Sequence, residues 1–187
     1  CRPGCDCASV RVAPAGGVFV MRRLIVDGYN VIGAEEKYRR LASADVDAAR
    51  ARLVEDVAPL VSEDRHVIVV FDGAGNPSSD GTPHHVAGVT VIFSRAGQSA
   101  DTLIEALARR FKERAEETLV VTSDAQTQWA VMGGPVTRMS SAEFVNELLE
   151  EAECRRGGFE SGARRSRLEE RIDPGVRAVL SRWARGL

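Results

Sequence analysis

In Leu24-Ile25-Val26-Asp27-Gly28-Tyr29-Asn30 an unbroken apolar run, Leu24 to Val26, leads into a carboxylate and a glycine. A strand wet on one face alternates apolar and polar residues, so a continuous run predicts a strand covered on both faces. The pattern returns from His66 to Phe71, from Val89 to Phe93 and from Thr118 to Thr122. Between the runs, apolar residues recur every three or four positions. Val46, Ala49, Leu53, Val57 and Leu60 form one such stripe between Asp45 and Val61, and Leu103, Leu107 and Phe111 form another between Ser99 and Ala115. A further helix is expected from Ser140 to about Glu153, capped by Ser140 or Ser141. Strands alternating with helices predict an α/β three-layer sandwich, with helices on both faces of a mostly parallel sheet.

Three of the four runs lead into an aspartate: Asp27 after Val26, Asp72 after Phe71, and Asp124 after Thr122 and Ser123. Ligands of open α/β sheets bind beyond the carboxyl ends of the strands, so these carboxylates are expected around one crevice. Asp101 follows Ser99-Ala100 in the first turn of the next helix. An acid there is equally explained by the helix dipole. Glu105, one turn later, is either a more distant ligand or a solvated side chain. Carboxylates gathered in one cleft repel one another unless a cation offsets them. Mg²⁺ or Mn²⁺, which take oxygen ligands and keep several waters, suit that role and would serve an in-line displacement at a phosphate. Other uses of the same residues fit less well. A dehalogenase-type phosphatase needs an aspartate where Tyr29 stands, a dinucleotide site needs a glycine-rich turn after the first strand, and a receiver needs an acidic pair there.

The 187 residues, 44% of them hydrophobic, suffice for one ordinary core and not comfortably for two. No run approaches the roughly 18 apolar residues of a membrane span, and no secretory signal pattern opens the chain, so a cytoplasmic location without membrane contact is expected. Residues 1–20 are rich in Gly, Pro and Ala and read as a disordered extension, with Met21 a possible start just before the first run. Cys1, Cys5 and Cys7 lie in that extension but follow no standard zinc spacing. The domain is expected over residues 21–155 and a basic linker and helical tail over 156–187, with Asp173-Pro174 a plausible helix start. From Arg155 onward nine arginines face four acids, a local balance of +5 that leaves −7 for the rest of a chain of net charge −2. An acidic body with a basic arm suits contact with nucleic acid, and a solvated helix explains the same count.

These residues carry a resemblance. Leu24 to Gly33, Val67 to Asp72, Ala100-Asp101, Thr122-Ser123-Asp124 and Gln128-Trp129-Ala130 occur in the order of the YacP-like NYN domains, which are PIN-like endoribonucleases; Arg182-Trp183-Ala184-Arg185-Gly186 resembles the family's basic ending. The resemblance implies a PIN-like fold, Mg²⁺ or Mn²⁺ dependence and cleavage of single-stranded RNA, plausibly mRNA engaged with the ribosome. It makes Asp27, Asp101 and Asp124 metal carboxylates, sets Asp72 at the rim of the catalytic site, and gives Asn30 and Ser123 a part in orienting a ligand or water. The expected reaction is attack by a metal-activated water, leaving a 5′-phosphate. An RNA- or ribosome-binding adaptor and a structure-specific DNA nuclease are the alternatives.

Overall fold

A computed structural model describes residues 22–73, 79–123, 133–157 and 180–183. Strand β1 (Arg22–Asp27) is followed by helices α1 (Gly28–Ala34), α2 (Glu36–Ala44) and α3 (Val46–Val57), the last running into a 3₁₀ turn (Ala58–Leu60). Next come β2 (Arg65–Phe71), β3 (Pro83–Val86), β4 (Val89–Phe93), α4 (Ala100–Glu113), β5 (Glu117–Val121), β6 (Val136–Met139) and α5 (Ser141–Gly157). The six strands lie in the order β3-β4-β2-β1-β5-β6. Every neighbouring pair is parallel except the β3–β4 hairpin. This is the mostly parallel, three-layer arrangement expected from the sequence.

The pleat sorts each apolar run between two cores. Leu24 and Val26, Val67, Val69 and Phe71, and Val89, Val91 and Phe93 face α1, α3 and α5. Ile25, Ile68, Val70, Ile92 and Val120 face α4. A run without polar breaks is what a sheet buried on both sides requires. The stripes hold with adjustments: Val46 is 41% exposed at the start of α3, and α4 buries Ala100, Ile104, Ala108 and Phe111, with Leu103 and Leu107 only partly covered.

Four elements were not expected. The helices α1 and α2 fill the stretch between β1 and α3, to which the sequence assigns no element. Within the polar stretch after β2, residues 83–86 form β3, joined to β4 by Ala87 and Gly88, both at positive φ (51° and 82°). Two successive residues at positive φ make the tight two-residue hairpin turn. β6 is a four-residue edge strand with only Val136 buried. The cap expected at Ser140 is present. Its hydroxyl accepts from the Glu143 N–H at 3.2 Å, and the Glu143 carboxylate accepts from the Ser140 N–H at 3.1 Å, a reciprocal capping box.

Residues 180–183 are helical and pack on the body. Leu180 is fully buried, the Ser181 hydroxyl donates to Asp47 at 2.7 Å, and Trp183 stacks on His84 with ring centroids 3.7 Å apart. The proposed extension at residues 1–20, the helix start at Asp173-Pro174 and most of the linker lie outside the described residues. Among the described residues, no helix is long and apolar enough to cross a membrane.

Candidate active site

The chain runs from β1 to β2 and β4 on one side, then crosses back through α4 to β5 on the other side of β1. The carboxyl ends of β1 and β5 therefore flank the point where strand order reverses, the usual place for a ligand crevice in such sheets. Asp27 closes β1 at that point. It shares the pleat face of Ile25, the face on which α4 packs, and α4 carries Asp101 in its first turn.

Asp27 is 4% exposed and has local work of its own, as the N-cap of α1. One carboxylate oxygen accepts from the Asn30 N–H at 3.1 Å and the other from the Asn30 side-chain amide at 2.6 Å. The same amide reaches the buried Thr122 hydroxyl at 3.4 Å, linking the ends of β1 and β5. Burial pushes the Asp27 carboxyl above its ordinary range, the Asn30 bonds pull it back, and the charge of Asp101 raises it further. Burial and a second acid both work against the charged form of Asp27, a cost that a cation would offset.

Gly28 lets the α1 turn lie against the sheet, since a Cβ there would stand 2.2 Å from Phe71 Cε1. Asp72 is half-buried one residue past Phe71, at the same end of the neighbouring strand, and is not among the leading causes of the Asp27 shift. The loops after β2 and β4 are knitted by Ser94, which is fully buried. Its hydroxyl accepts from the Gly73 N–H at 2.9 Å and donates to the Gln98 carbonyl at 2.7 Å. Ser99 then caps α4 by accepting from the Thr102 N–H at 3.2 Å, which fixes the turn bearing Asp101. Glu105 is half-buried one turn further on.

The sequence-predicted residues thus separate. Asp27, Asn30 and Asp101 gather at the end of β1, and Asp72 flanks them. Ser123 is exposed beside them, and its hydroxyl accepts from the Ser141 N–H at 3.2 Å at the start of α5. Asp124 lies outside the described residues. Thr122, the end of an apolar run, also borders the site, and its place in Thr122-Ser123-Asp124 is the sequence signal for that. Arg138 was missed. It sits on β6, and its Nε donates to the Thr122 carbonyl at 3.1 Å.

Among the described residues, no three His, Cys, Asp or Glu side chains form a ready-made cation cage. The donors still suit a hard ion. Mg²⁺ is commonly held by one or two carboxylates and several waters, and Asp27 and Asp101 supply two carboxylates at this end of the sheet.

Comparison with known proteins agrees with this architecture. The model of the YacP-like NYN domain matches residues 24–185. The uncharacterized protein YacP of Bacillus subtilis (strain 168) is 36% identical over 128 residues, covering 67% of this chain and 74% of its own. The crystal structure of a tryptophan-to-leucine mutant of Rae1 (YacP) from Bacillus subtilis superposes with a TM-score of 0.60 at 31% identity, over 85% of this chain and 98% of that one. A second Rae1 (YacP) crystal structure from Bacillus subtilis gives 0.59 at 34% identity, over 72% and 78%. With a nuclease-like fold and a family match over most of its length, the chain belongs to the YacP-like NYN domain family.

Proposed function

We propose that this protein is a divalent-metal-dependent endoribonuclease that hydrolyses single-stranded RNA, acting in the cytoplasm on mRNA associated with the ribosome. The observation that carries this reading is the buried Asp27 carboxylate beside Asp101 at the switch point of a YacP-like NYN fold. Asp27 and Asp101 would hold Mg²⁺ or Mn²⁺, with Asp124 completing the set. Such an ion supplies charge neutralisation at the phosphodiester and a lowered pKa for water.

The chain's own residues do the rest. Asn30 grips both oxygens of Asp27 and fixes the direction of their remaining lone pairs. Thr122 ties that amide to β5, so the two strand ends move as one. Ser123 accepts its bond from α5 and keeps its own proton as a donor toward a ligand. Asp72 borders the crevice on the β2 side.

The test is cleavage of end-labelled single-stranded RNA by the purified protein with Mg²⁺ or Mn²⁺, beside folded Asp27→Asn and Asp101→Asn variants. Matched DNA and ribosome-bound message serve as parallel substrates. Metal-dependent cutting that leaves a 5′-phosphate and is lost in both variants is expected. A 2′,3′-cyclic phosphate refutes the mechanism. Intact RNA in every arm refutes the enzyme and leaves an RNA- or ribosome-binding adaptor.

A further inference from the structure

We propose that Arg138 is the phosphate anchor of this site, holding the RNA backbone beside the acidic pair; the proposal rests on the RNA-cleaving function above. A polyanion approaching Asp27 and Asp101 meets like charge, and a bound cation answers only the reacting phosphate. The flanking backbone needs a positive group on the same face of the crevice.

Arg138 is placed there. Its strand partner is Val120, one residue short of the sheet's carboxyl edge. Val136, two residues earlier, lies in the core under α4, so the pleat puts Arg138 on the face that carries Asp27 and Asp101. Hydrogen bonds then set its position. Arg138 Nε donates to the Thr122 carbonyl at 3.1 Å, the Thr122 hydroxyl accepts from the Asn30 amide, and Asn30 binds Asp27.

Its charge is not spent internally. Arg22, Arg23, Arg50 and Arg52 each pair with an acid, whereas no carboxylate pairs with Arg138 among the described residues. Glu143 feels its charge, but commits a carboxylate oxygen to the Ser140 N–H and hydroxyl. With Nε engaged, the two terminal NH₂ groups have no partner among the described residues and form a planar fork that matches a phosphate. A half-buried side chain already held in place loses little freedom on binding.

The test uses the full chain and fluorescent single-stranded RNA, with binding read by anisotropy in Ca²⁺ and cutting read in Mg²⁺. Arg138→Gln is compared with Arg138→Lys and with Arg110→Gln, an exposed arginine in the last turn of α4 at the opposite end of the sheet. Arg138→Gln should raise Kd and KM about tenfold with kcat little changed. It should also flatten the slope of log affinity against log salt by about 0.7, one phosphate contact on a single strand. Lysine should restore the slope but only part of the affinity, and Arg110→Gln should behave as wild type. A folded Arg138→Gln protein with wild-type affinity and slope overturns the proposal. So does a fall in kcat alone, which would make Arg138 merely a support for Thr122. Wild-type protein that cuts neither this RNA nor ribosome-bound message fails the enzyme reading and this proposal together, whereas normal cutting with an unaffected Arg138→Gln sinks only the anchor.

Discussion

Gly28→Ala adds one methyl group, and the structure says where it goes. The new Cβ would lie 2.2 Å from Phe71 Cε1, 2.5 Å from Cδ1 and 2.9 Å from Cζ, against 3.4–4 Å for ordinary contact. Phe71 has no room to yield. It is fully buried, stacked on Phe93 with centroids 5.4 Å apart, and met edge-on by Tyr29 at 5.4 Å. Alanine in place of glycine would gain at most about 1 kcal/mol of helix propensity, and less in a first turn. Overpacking a filled core costs about 1–3 kcal/mol, so the overlap wins and the variant should be destabilised by about 2 kcal/mol. Phe71→Leu removes the ring atoms that clash. The double variant should therefore be more stable than the sum of its single changes, by about 1.5 kcal/mol of coupling. Urea unfolding of the four proteins at constant m-value measures the cycle. Additivity within about 0.5 kcal/mol, or a Gly28→Ala protein as stable as wild type, would refute the packing argument.

Four further outcomes are expected. Ser94→Ala leaves the Gly73 N–H and the Gln98 carbonyl unpaired in the interior, and should cost about 2 kcal/mol in denaturant unfolding and lower kcat by loosening the loops beside Asp72 and Asp101. Asp56→Ala strips the buried Tyr38 hydroxyl, Arg52 and Lys37 of their shared acid at 2.7, 2.9 and 3.0 Å, and should cost about 3 kcal/mol. Tyr38→Phe, which leaves both ion pairs intact, should cost about 1 kcal/mol in the same assay. His84 titrates below the ordinary histidine range, chiefly because burial disfavours its charged form, with His85 adding to the effect and Asp80 opposing it. Folding therefore favours neutral His84: its contribution is complete above the ordinary value and is lost as pH falls through the lowered one. Imidazole NMR should show the titration moving back up in Trp183→Ala, and no movement would deny the stacked indole that role.

The strands and helices legible in the sequence are those whose residues make one kind of contact. β1, β2, β4 and β5 are continuous apolar runs because both faces are buried, and α3 and α4 show a single stripe. The missed elements carry mixed signals. α1 begins with Gly28, contains Gly33 and is started by Asp27, a residue whose chemistry invited a ligand role and hid its capping role. α2 buries only Tyr38 among charged neighbours. β3 and β6 are four-residue edge strands, too short and too exposed to print a period. Within the site, an acid at the end of an apolar run is conspicuous. Arg138 is not, because only the register of β6 against β5 brings it level with Thr122.

The crossing back of the chain through α4 has a consequence for when the protein can act. Asp27 comes from the first half of the sequence and Asp101 with Thr122 from the second, so neither half owns a working centre. Under the proposed function, a partly synthesised or partly melted chain would be silent and would leave nearby RNA uncut. Severing the chain between β4 and α4, at Ala96-Gly97, where Gly97 turns at φ 78° in open space, should give two inert fragments. Any cutting recovered on mixing them would then report reassembly of the sheet itself.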